Sequence, residues 1–408
     1  MIPRILYKKL QGYGQEHLLR YYSELSEDQQ KDLLEQVKNI DFDLVANLEN
    51  LKKGTAKGEI SPIGALDLKE IEEKKAEFLN VGLEALAKRK VAAVLLAGGQ
   101  GSRLGFDLPK GMLNIGEKIE LSLFEQLIKN LQAVEAQAGA TVPLLIMTSE
   151  KNDQVTREYF EEKEYFGYDK NFVRFFVQEM APATDYNGKI YLEEKDRVSL
   201  SPNGNGGWFS SLINAGLLKY LHELGVEWLN IFSVDNPLQK MADPVFVGAT
   251  IAGDFVSGSK VVAKADPHER VGVLCLEDGK PSIVEYFELP EEMIEQRDEN
   301  GVLLYNYGVI LNYLFRLDRL ESIIGAELPL YVVEKKIPYL NEEGNYIKPE
   351  ENNGYKFETL VLDMIRLMDN CCAFEVEREK EFAPIKNATG VDSLETARAL
   401  MKLNKIEL

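Results

Sequence analysis

The sequence predicts an α/β protein: a mixed, mostly parallel sheet with helices on both faces, preceded by a helical N-terminal region. Three observations carry this. From Val91 onward, short β-rich runs ("VAAVLLAGG", "VPLLIMTS", "FVRFFVQ", "LNIFSVDN") alternate with amphipathic helical stretches, the pattern of strands paired in parallel through helical crossovers. These runs end in glycine-rich or polar loops, and such sheets bind ligands at the carboxyl ends of their strands. Before Val91 the texture is different, dense in Glu, Lys, Gln and Leu with helical spacing.

Taken in order, Leu33, Val37, Ile40 and Leu44 mark one helical stripe, and "KKGTAKGEISPIG" marks a loop that interrupts the helical region. Val91 to Ala97 is an unbroken apolar run and reads as a buried strand. The stretch "SLFEQLIKNLQAVEAQAG" places Phe124, Leu127, Ile128 and Leu131 on one helical face and stops at Gly139. After "SPNGNGG", a single helix is expected to carry Phe209, Leu212, Ile213, Leu217, Tyr220, Leu221 and Leu224, ending at Gly225. The expected division is a helical region over 1–88, a main α/β domain over 89–390 and a C-terminal helix over 391–408.

Charge narrows the partners. With 47 basic against 67 acidic residues the net charge is -20, so the mean field repels polyanions and excludes a nucleic acid polymer as the partner. Small phosphates remain open, since a few cations and backbone N–H groups can bind them locally. The N-terminus has no apolar segment of signal-peptide length, and Val91–Ala97 is too short to span a bilayer; a cytoplasmic protein without membrane attachment is expected. Cys275, Cys371 and Cys372 are odd in number and include an adjacent pair, so free thiols are expected.

The most informative stretch is "VAAVLLAGGQGSRLGFDLPKGM". A strand runs into Gly98, Gly99, Gly101 and Gly105, and glycine lets the backbone approach a ligand and aim several N–H groups at phosphate oxygens. Arg103 and Lys110 add full charges. A P-loop fails here, because Lys110 follows Pro109 and precedes Gly111. A dinucleotide fingerprint is only approached, and the next strand comes too late to place an acidic residue on a ribose. The third candidate, a strand followed by Gly-Gly, Gly, Ser, Arg, Leu and then Pro-Lys, is the signature of sugar nucleotidyltransferases, and it matches along its whole length.

Together with "VQEMAPA", "SPNGNGGWFSSL", "FSVDNPLQKMADPVFVG", "VEYFE", "YNYGVILNYLF", "EKKIPYL" and "EFAPIKNA", this stretch resembles the uridylyltransferases of the eukaryotic-type UDP-N-acetylglucosamine and UDP-glucose pyrophosphorylase group, and more closely its N-acetylglucosamine branch. The motifs run in order from about residue 91 to 390. The resemblance implies a Rossmann-like nucleotidyltransferase (GT-A-like) fold, with 89–390 as the catalytic domain. It implies that UTP and a sugar 1-phosphate react to give a UDP-sugar and pyrophosphate, with Mg2+ as cofactor, in a monomer or small homo-oligomer.

That chemistry suits the residues present. The attacking group is a phosphate oxygen, ionised at neutral pH, so no general base is needed, and the only histidines are His17, His222 and His268. Positioning and charge neutralisation remain. By the resemblance, Arg103 and Lys110 lie along the triphosphate, and Lys386 in "APIKN" reaches the phosphates. Leu96, Ala97, Gly98, Gly99, Gly101, Gly111 and Gly204 line the nucleotide through backbone; Gln178 reads the uracil edge, and Asn205 joins it. Asp235 would hold the metal, although a strand-end Asp is equally a turn or helix-cap residue. Glu285 would accept from sugar hydroxyls, with Asn306 as its companion.

Three departures stand out. Asn203 replaces the acidic residue of the family's "PDGNGG". Asn306-Tyr307-Gly308-Val309 stands where Asn-Ala-Gly-Asn is usual. The sequence runs to Leu408, and the additional C-terminal domain of eukaryotic members is not expected. UDP-N-acetylglucosamine synthesis leads, with UDP-glucose or UDP-galactose synthesis as the near alternative and a non-catalytic UDP-sugar sensor as the alternative of another class.

Overall fold

A computed structural model describes residues 2–52 and 58–408. The chain forms two compact units, each drawn from separate stretches: Met1–Ala56, Glu179–Gly207 and Glu327–Val361 in one, Lys57–Gln178, Trp208–Ala326 and Leu362–Leu408 in the other. These boundaries fall elsewhere than at 88 and 390, and packing explains why. The Leu68–Ala87 helix lies so tightly on the Pro244–Ala252 helix that a Cβ on Gly82 would sit 1.8 Å from the Pro244 carbonyl oxygen, and one on Gly248 1.7 Å from that of Phe78. At the other end, Ala397 and Met401 of the Leu394–Leu403 helix share a buried cluster with Ile115, Leu121, Leu238, Ala383 and Ile385.

The larger unit holds a ten-stranded mixed sheet. Its strands are β1 (Ile60–Ser61), β2 (Val91–Leu96), β3 (Leu144–Thr148), β4 (Val173–Val177), β5 (Trp228–Ser233), β6 (Ser257–Ala263), β7 (Val273–Glu277), β8 (Lys280–Val284), β9 (Tyr307–Arg316) and β10 (Cys372–Glu375). The order β4-β3-β2-β5 is parallel throughout. β9 then pairs antiparallel with β5, β6 and β7, and β6 takes β10 in parallel. This is the expected mixed α/β sheet. All six residues of β2 are buried, so both faces of the central strand are covered. One of those covers is the Leu123–Ala138 helix, whose Phe124, Leu127, Ile128 and Leu131 enter the core and which ends on Gly139 in the left-handed region, φ 66°.

The stretch expected as one helix after "SPNGNGG" is two, Trp208–Asn214 and Leu217–Leu224. Gly216 adopts φ 74° between them, a conformation that interrupts a right-handed helix. Gly225 ends the second, as its position implied.

In the smaller unit, helices Arg4–Tyr13 and Glu27–Lys38 bury Leu10, Leu33 and Val37 against Ile190, Leu192 and Val198. The Leu33–Leu44 stripe is split by a second helix start at Asp41, whose side chain caps Asp43 and Leu44 N–H groups. A three-stranded sheet of Tyr331–Lys335, Gly354–Glu358 and Thr184–Asp185 completes it with short two-stranded pairs. Of the loop expected at "KKGTAKGEISPIG", residues 53–57 lie outside the described residues, and Ile60–Ser61 forms β1. The three cysteines are buried thiols, none in a disulfide. Among the described residues, no helix is long and apolar enough to cross a membrane.

Candidate active site

Two strands set the site. Ser233, the last residue of β5, is level with Leu96, the last of β2, and Val234 N–H donates to the Leu96 carbonyl at 3.2 Å. The loops leaving both strands therefore start side by side at the carboxyl edge of the parallel half.

The loop after β2 is fixed by its own backbone. Ala97 N–H bonds the Met147 carbonyl at 2.8 Å, and the Ala97 carbonyl accepts from Asn152 Nδ2 at 3.0 Å. Gly101 N–H then reaches Leu108 O, and Lys110 N–H reaches Gly99 O, both at 3.1 Å, with Gln100 bridging Pro109. A hairpin-like turn results: Lys110 returns to the level of Gly99, and Arg103 sits exposed in the Ser102–Leu104 turn at the tip. Gly99 is exposed, Gly98 half-buried and Gly101 buried.

Two glycines are required by close approach. A Cβ on Gly111 would fall 2.2 Å from the Phe124 ring, so the backbone at Gly111 rests on the helix that follows. A Cβ on Gly98 would fall 2.4 Å from Gln178 Oε1. Gln178 itself is buried, 6% exposed, at the end of β4, its N–H bonded to Thr148 O at 2.9 Å. The structure thus brings the glycine turn and the proposed base reader together.

The charged residues converge on the same edge. Lys110 Nζ lies 3.8 Å from Asp235 Oδ2. Burial pushes the Lys110 amine below its ordinary pKa; Asp235 opposes this, while Lys386 and Arg103 add to it as neighbouring cations. Asp235 is held from its own side by the Ser233 hydroxyl, which donates to Oδ1. Its carbonyl accepts from Ile385 N–H at 2.9 Å, which brings residue 385 and then Lys386 to the turn. Lys386 N–H bonds the Asp392 carbonyl at 2.6 Å, and its Nζ stands 4.0 Å from Asp392 Oδ2. Burial pushes the Asp392 carboxyl up, with Lys386 acting the other way.

On the proposed sugar side, Glu285 follows β8 and is half-buried. A Cβ on Gly272 would meet Val309 Cγ2 at 3.4 Å and Glu285 Oε2 at 3.8 Å, so Glu285 and Val309 share one small space. Asn306, just before β9, accepts from Lys264 N–H through its side-chain oxygen at 3.2 Å. Gly204 and Asn205 belong to the smaller unit: Gly204 adopts φ 87° against Thr359, and Asn205 Oδ1 accepts from Val361 N–H at 2.9 Å.

Among the described residues, no group of three or more His, Cys, Asp or Glu could hold a metal ion. Asp235 is the carboxylate beside Lys110, with Asp392 on the far side at Lys386, and a single carboxylate at Lys110 fits a magnesium ion completed by substrate phosphates and water and does not fit an all-protein cage. The histidines are engaged elsewhere: His17 with the Ile190 carbonyl, His222 with Glu321, His268 with Glu295.

Sequence reasoning missed Ser233, Asn236 and Arg398. Ser-x-Asp at a strand end is a readable signal for a hydroxyl on the carboxylate. Arg398 binds the Ile115 and Gly116 carbonyls at 2.9 and 2.6 Å, steadying the chain beyond the glycine turn across 280-odd residues, and no local pattern announces that.

A sheet that is parallel at its centre, with a backbone-locked glycine turn that gathers Arg103, Lys110 and Lys386 near Asp235, defines a phosphate-handling α/β protein of nucleotide-binding type. The sequence agrees in detail. The chain belongs to the UTP--glucose-1-phosphate uridylyltransferase family, whose model matches residues 28–407. It is 37% identical over 409 residues to mouse UDP-N-acetylhexosamine pyrophosphorylase-like protein 1, covering 94% of this chain and 80% of that one. Over 421 residues it is 36% identical to UDP-N-acetylglucosamine pyrophosphorylase of Saccharomyces cerevisiae, covering 96% and 88%. The crystal structure of uridine diphosphate N-acetylglucosamine pyrophosphorylase from Trypanosoma brucei superposes with a TM-score of 0.82 at 29% identity, covering 97% of this chain and 84% of that one.

Proposed function

We propose that this chain is a UTP:N-acetylglucosamine 1-phosphate uridylyltransferase, forming UDP-N-acetylglucosamine and pyrophosphate by in-line attack of the sugar phosphate on the α-phosphorus of UTP. Family membership and relatives named for UDP-N-acetylglucosamine support the reaction and the sugar. One geometric observation supports the site most strongly: Lys110 Nζ stands 3.8 Å from Asp235 Oδ2, with Arg103 and Lys386 near enough to disfavour its charge.

The chemistry then follows from charge. The sugar phosphate is already a nucleophile, so the protein must bring two anions together and meet the charge shed to pyrophosphate. Lys110 is a half-buried cation whose ordinary partner is a single carboxylate; a triphosphate laid along the turn supplies what it lacks. Arg103, exposed at the tip, reaches the outer phosphates, and Lys386 approaches from the opposite side. Lys110, held beside Asp235 before substrate arrives, needs little reorganisation as charge moves, which is where electrostatic catalysis gains most. Asp235, steadied by Ser233, would hold magnesium, which when bound neutralises phosphate charge. Gln178, pressed on Gly98, can offer its amide to the uracil edge, and Glu285 can accept from sugar hydroxyls beside Val309.

The test is pyrophosphate release from UTP with magnesium and, in turn, N-acetylglucosamine, glucose and galactose 1-phosphates. The highest kcat/KM is expected with N-acetylglucosamine 1-phosphate. Preference for either plain hexose overturns the sugar assignment, and binding of UDP-sugar without pyrophosphate release from any of the three would make the protein a sensor.

A further inference from the structure

Behind the phosphate site lies a charge cluster centred on one fully buried lysine. Lys260, on β6, is 0% exposed. It falls where the β6–β9 register shifts, between Ser259 and Val261. Its Nζ donates to Asp243 Oδ2 at 2.7 Å, Glu381 Oε2 at 2.6 Å and the Lys240 carbonyl at 3.4 Å. Lys240 Nζ lies 3.1 Å from the other Glu381 oxygen. Burial works against the charges of Lys260 and Asp243, yet the two carboxylates hold the Lys260 ammonium above its ordinary pKa and Lys260 holds the Asp243 carboxyl below its own. Lys260 and Asp243 thus favour their charged forms, and a buried charge is costly unless it is paired and hydrogen-bonded.

What the cluster holds is more informative than its cost. Glu381 begins the buried segment that delivers Lys386 to the site. Asn236, the residue after Asp235, donates through Nδ2 to the Glu381 carbonyl at 2.6 Å, and its Oδ1 accepts from Ala383 N–H at 3.0 Å. Ile385 N–H bonds the Asp235 carbonyl at 2.9 Å. Residues 381, 383 and 385 are therefore laced in turn along the Asp235–Asn236 turn. The far end of the lacing is anchored by Lys260. Asp243, the other partner, also caps the Pro244–Ala252 helix at Val245 N–H, 3.0 Å, so the anchor is tied to a helix of the core.

We propose that Lys260 is a positioning residue for the phosphate site: held between Asp243 and Glu381, it fixes the segment carrying Lys386 against the turn carrying Asp235. The inference rests on the roles given above to Lys386 and Asp235. Lys260 touches no substrate and acts through Lys386, by holding its segment on the Asp235–Asn236 turn. Ångström-scale misplacement of a reacting group can cost roughly 100-fold in rate, so the expected loss is large for a residue so far from the chemistry.

The experiment is a double-mutant cycle on the full chain with Lys260→Met, Lys386→Ala and both together, scored by pyrophosphate release, by UTP-induced thermal stabilisation and by melting temperature without ligand. Lys260→Met is expected to lower kcat about 10- to 100-fold with the KM for UTP within about twofold. In the Lys386→Ala background it should cost little more. A purely structural residue would instead lower the active fraction and multiply with Lys386→Ala. Equal losses in both backgrounds, or an unchanged kcat, overturn the proposal while leaving the role of Lys386 intact. Normal turnover of Lys386→Ala alone overturns the phosphate role of Lys386 and the inference with it. Should Lys260→Met fail to fold because two carboxylates are stranded, the triple change Lys260→Met, Asp243→Asn, Glu381→Gln removes all three charges at near-constant volume and keeps an acceptor for Val245 N–H. Full turnover of that folded variant would equally overturn the proposal.

Discussion

Gly98→Ala gives the sharpest prediction for nucleotide recognition. The added Cβ would lie 2.4 Å from Gln178 Oε1 and 3.0 Å from its Cδ, while the next neighbour, Thr148 C, is at an ordinary 3.5 Å. Relief therefore falls on one side chain: the Gln178 amide must retreat by about 1 Å to restore a normal contact near 3.5 Å. The backbone has no reason to object, because Gly98 does not occupy the left-handed region. An amide withdrawn that far loses its grip on the uracil edge, a cost of about 1–3 kcal/mol for a buried polar contact left unmade. At about 1.4 kcal/mol per decade, that is roughly a 5- to 150-fold rise in the KM for UTP. Steady-state kinetics against UTP, with melting temperature as a control, measures it. Gln178→Ala should show the same rise, and the two changes together should exceed neither alone by much, since one displaces what the other removes. An unchanged KM for UTP in Gly98→Ala, or fully multiplicative effects, refutes Gln178 as the group through which Gly98 acts.

Lys110→Met should abolish most turnover yet raise the melting temperature of the ligand-free protein. The sign follows from the depressed Lys110 pKa: the folded state disfavours the charge, so the stability penalty is complete below the folded-state pKa and fades as pH rises toward the unfolded value near 10.4. The gain from Lys110→Met should therefore shrink in alkaline buffers, and circular dichroism melts from pH 7 to 10 will show whether it does. Gly111→Ala has no flexible side chain end to push aside, because its Cβ would meet three atoms of the Phe124 ring at 2.2 to 2.4 Å. It should destabilise by about 1–3 kcal/mol on denaturant titration, and a smaller loss would mean the ring moves freely. Arg103→Ala, at an exposed residue with no hydrogen-bond or ion-pair partner among the described residues, should lower kcat with a melting temperature close to wild type; near-normal turnover would remove Arg103 from the phosphate site.

Local patterns carried the strands and the phosphate turn into view. The apolar run Val91–Ala97 and the stop at Gly139 each reflect a rule acting within a few residues, and both are where the sequence placed them. The split helix shows the limit: the apolar stripe from Phe209 to Leu224 continues across Gly216, and periodicity alone does not register a left-handed residue in its middle. Domain boundaries were less legible because they depend on long-range packing; the Leu68–Ala87 helix reads as part of a helical N-terminus until Gly82 and Gly248 are seen to let it lie on Pro244–Ala252. In the proposed site, Arg103, Lys110 and Asp235 are the residues that motif alone offers. What fixes them could not: Asn236 meets Glu381 and Ala383 across some 145 residues, and Lys260 is simply a lysine in a β-run until its partners are known.

The most direct measurement is a crystal structure with UTP and magnesium bound. The triphosphate is expected along the turn from Gly98 to Arg103, within hydrogen-bonding reach of its N–H groups and of Lys110, with the metal on Asp235. Phosphates found elsewhere, or a metal held away from Asp235 while the nucleotide is in place, would contradict the assignment of the glycine turn as the site of uridylyl transfer.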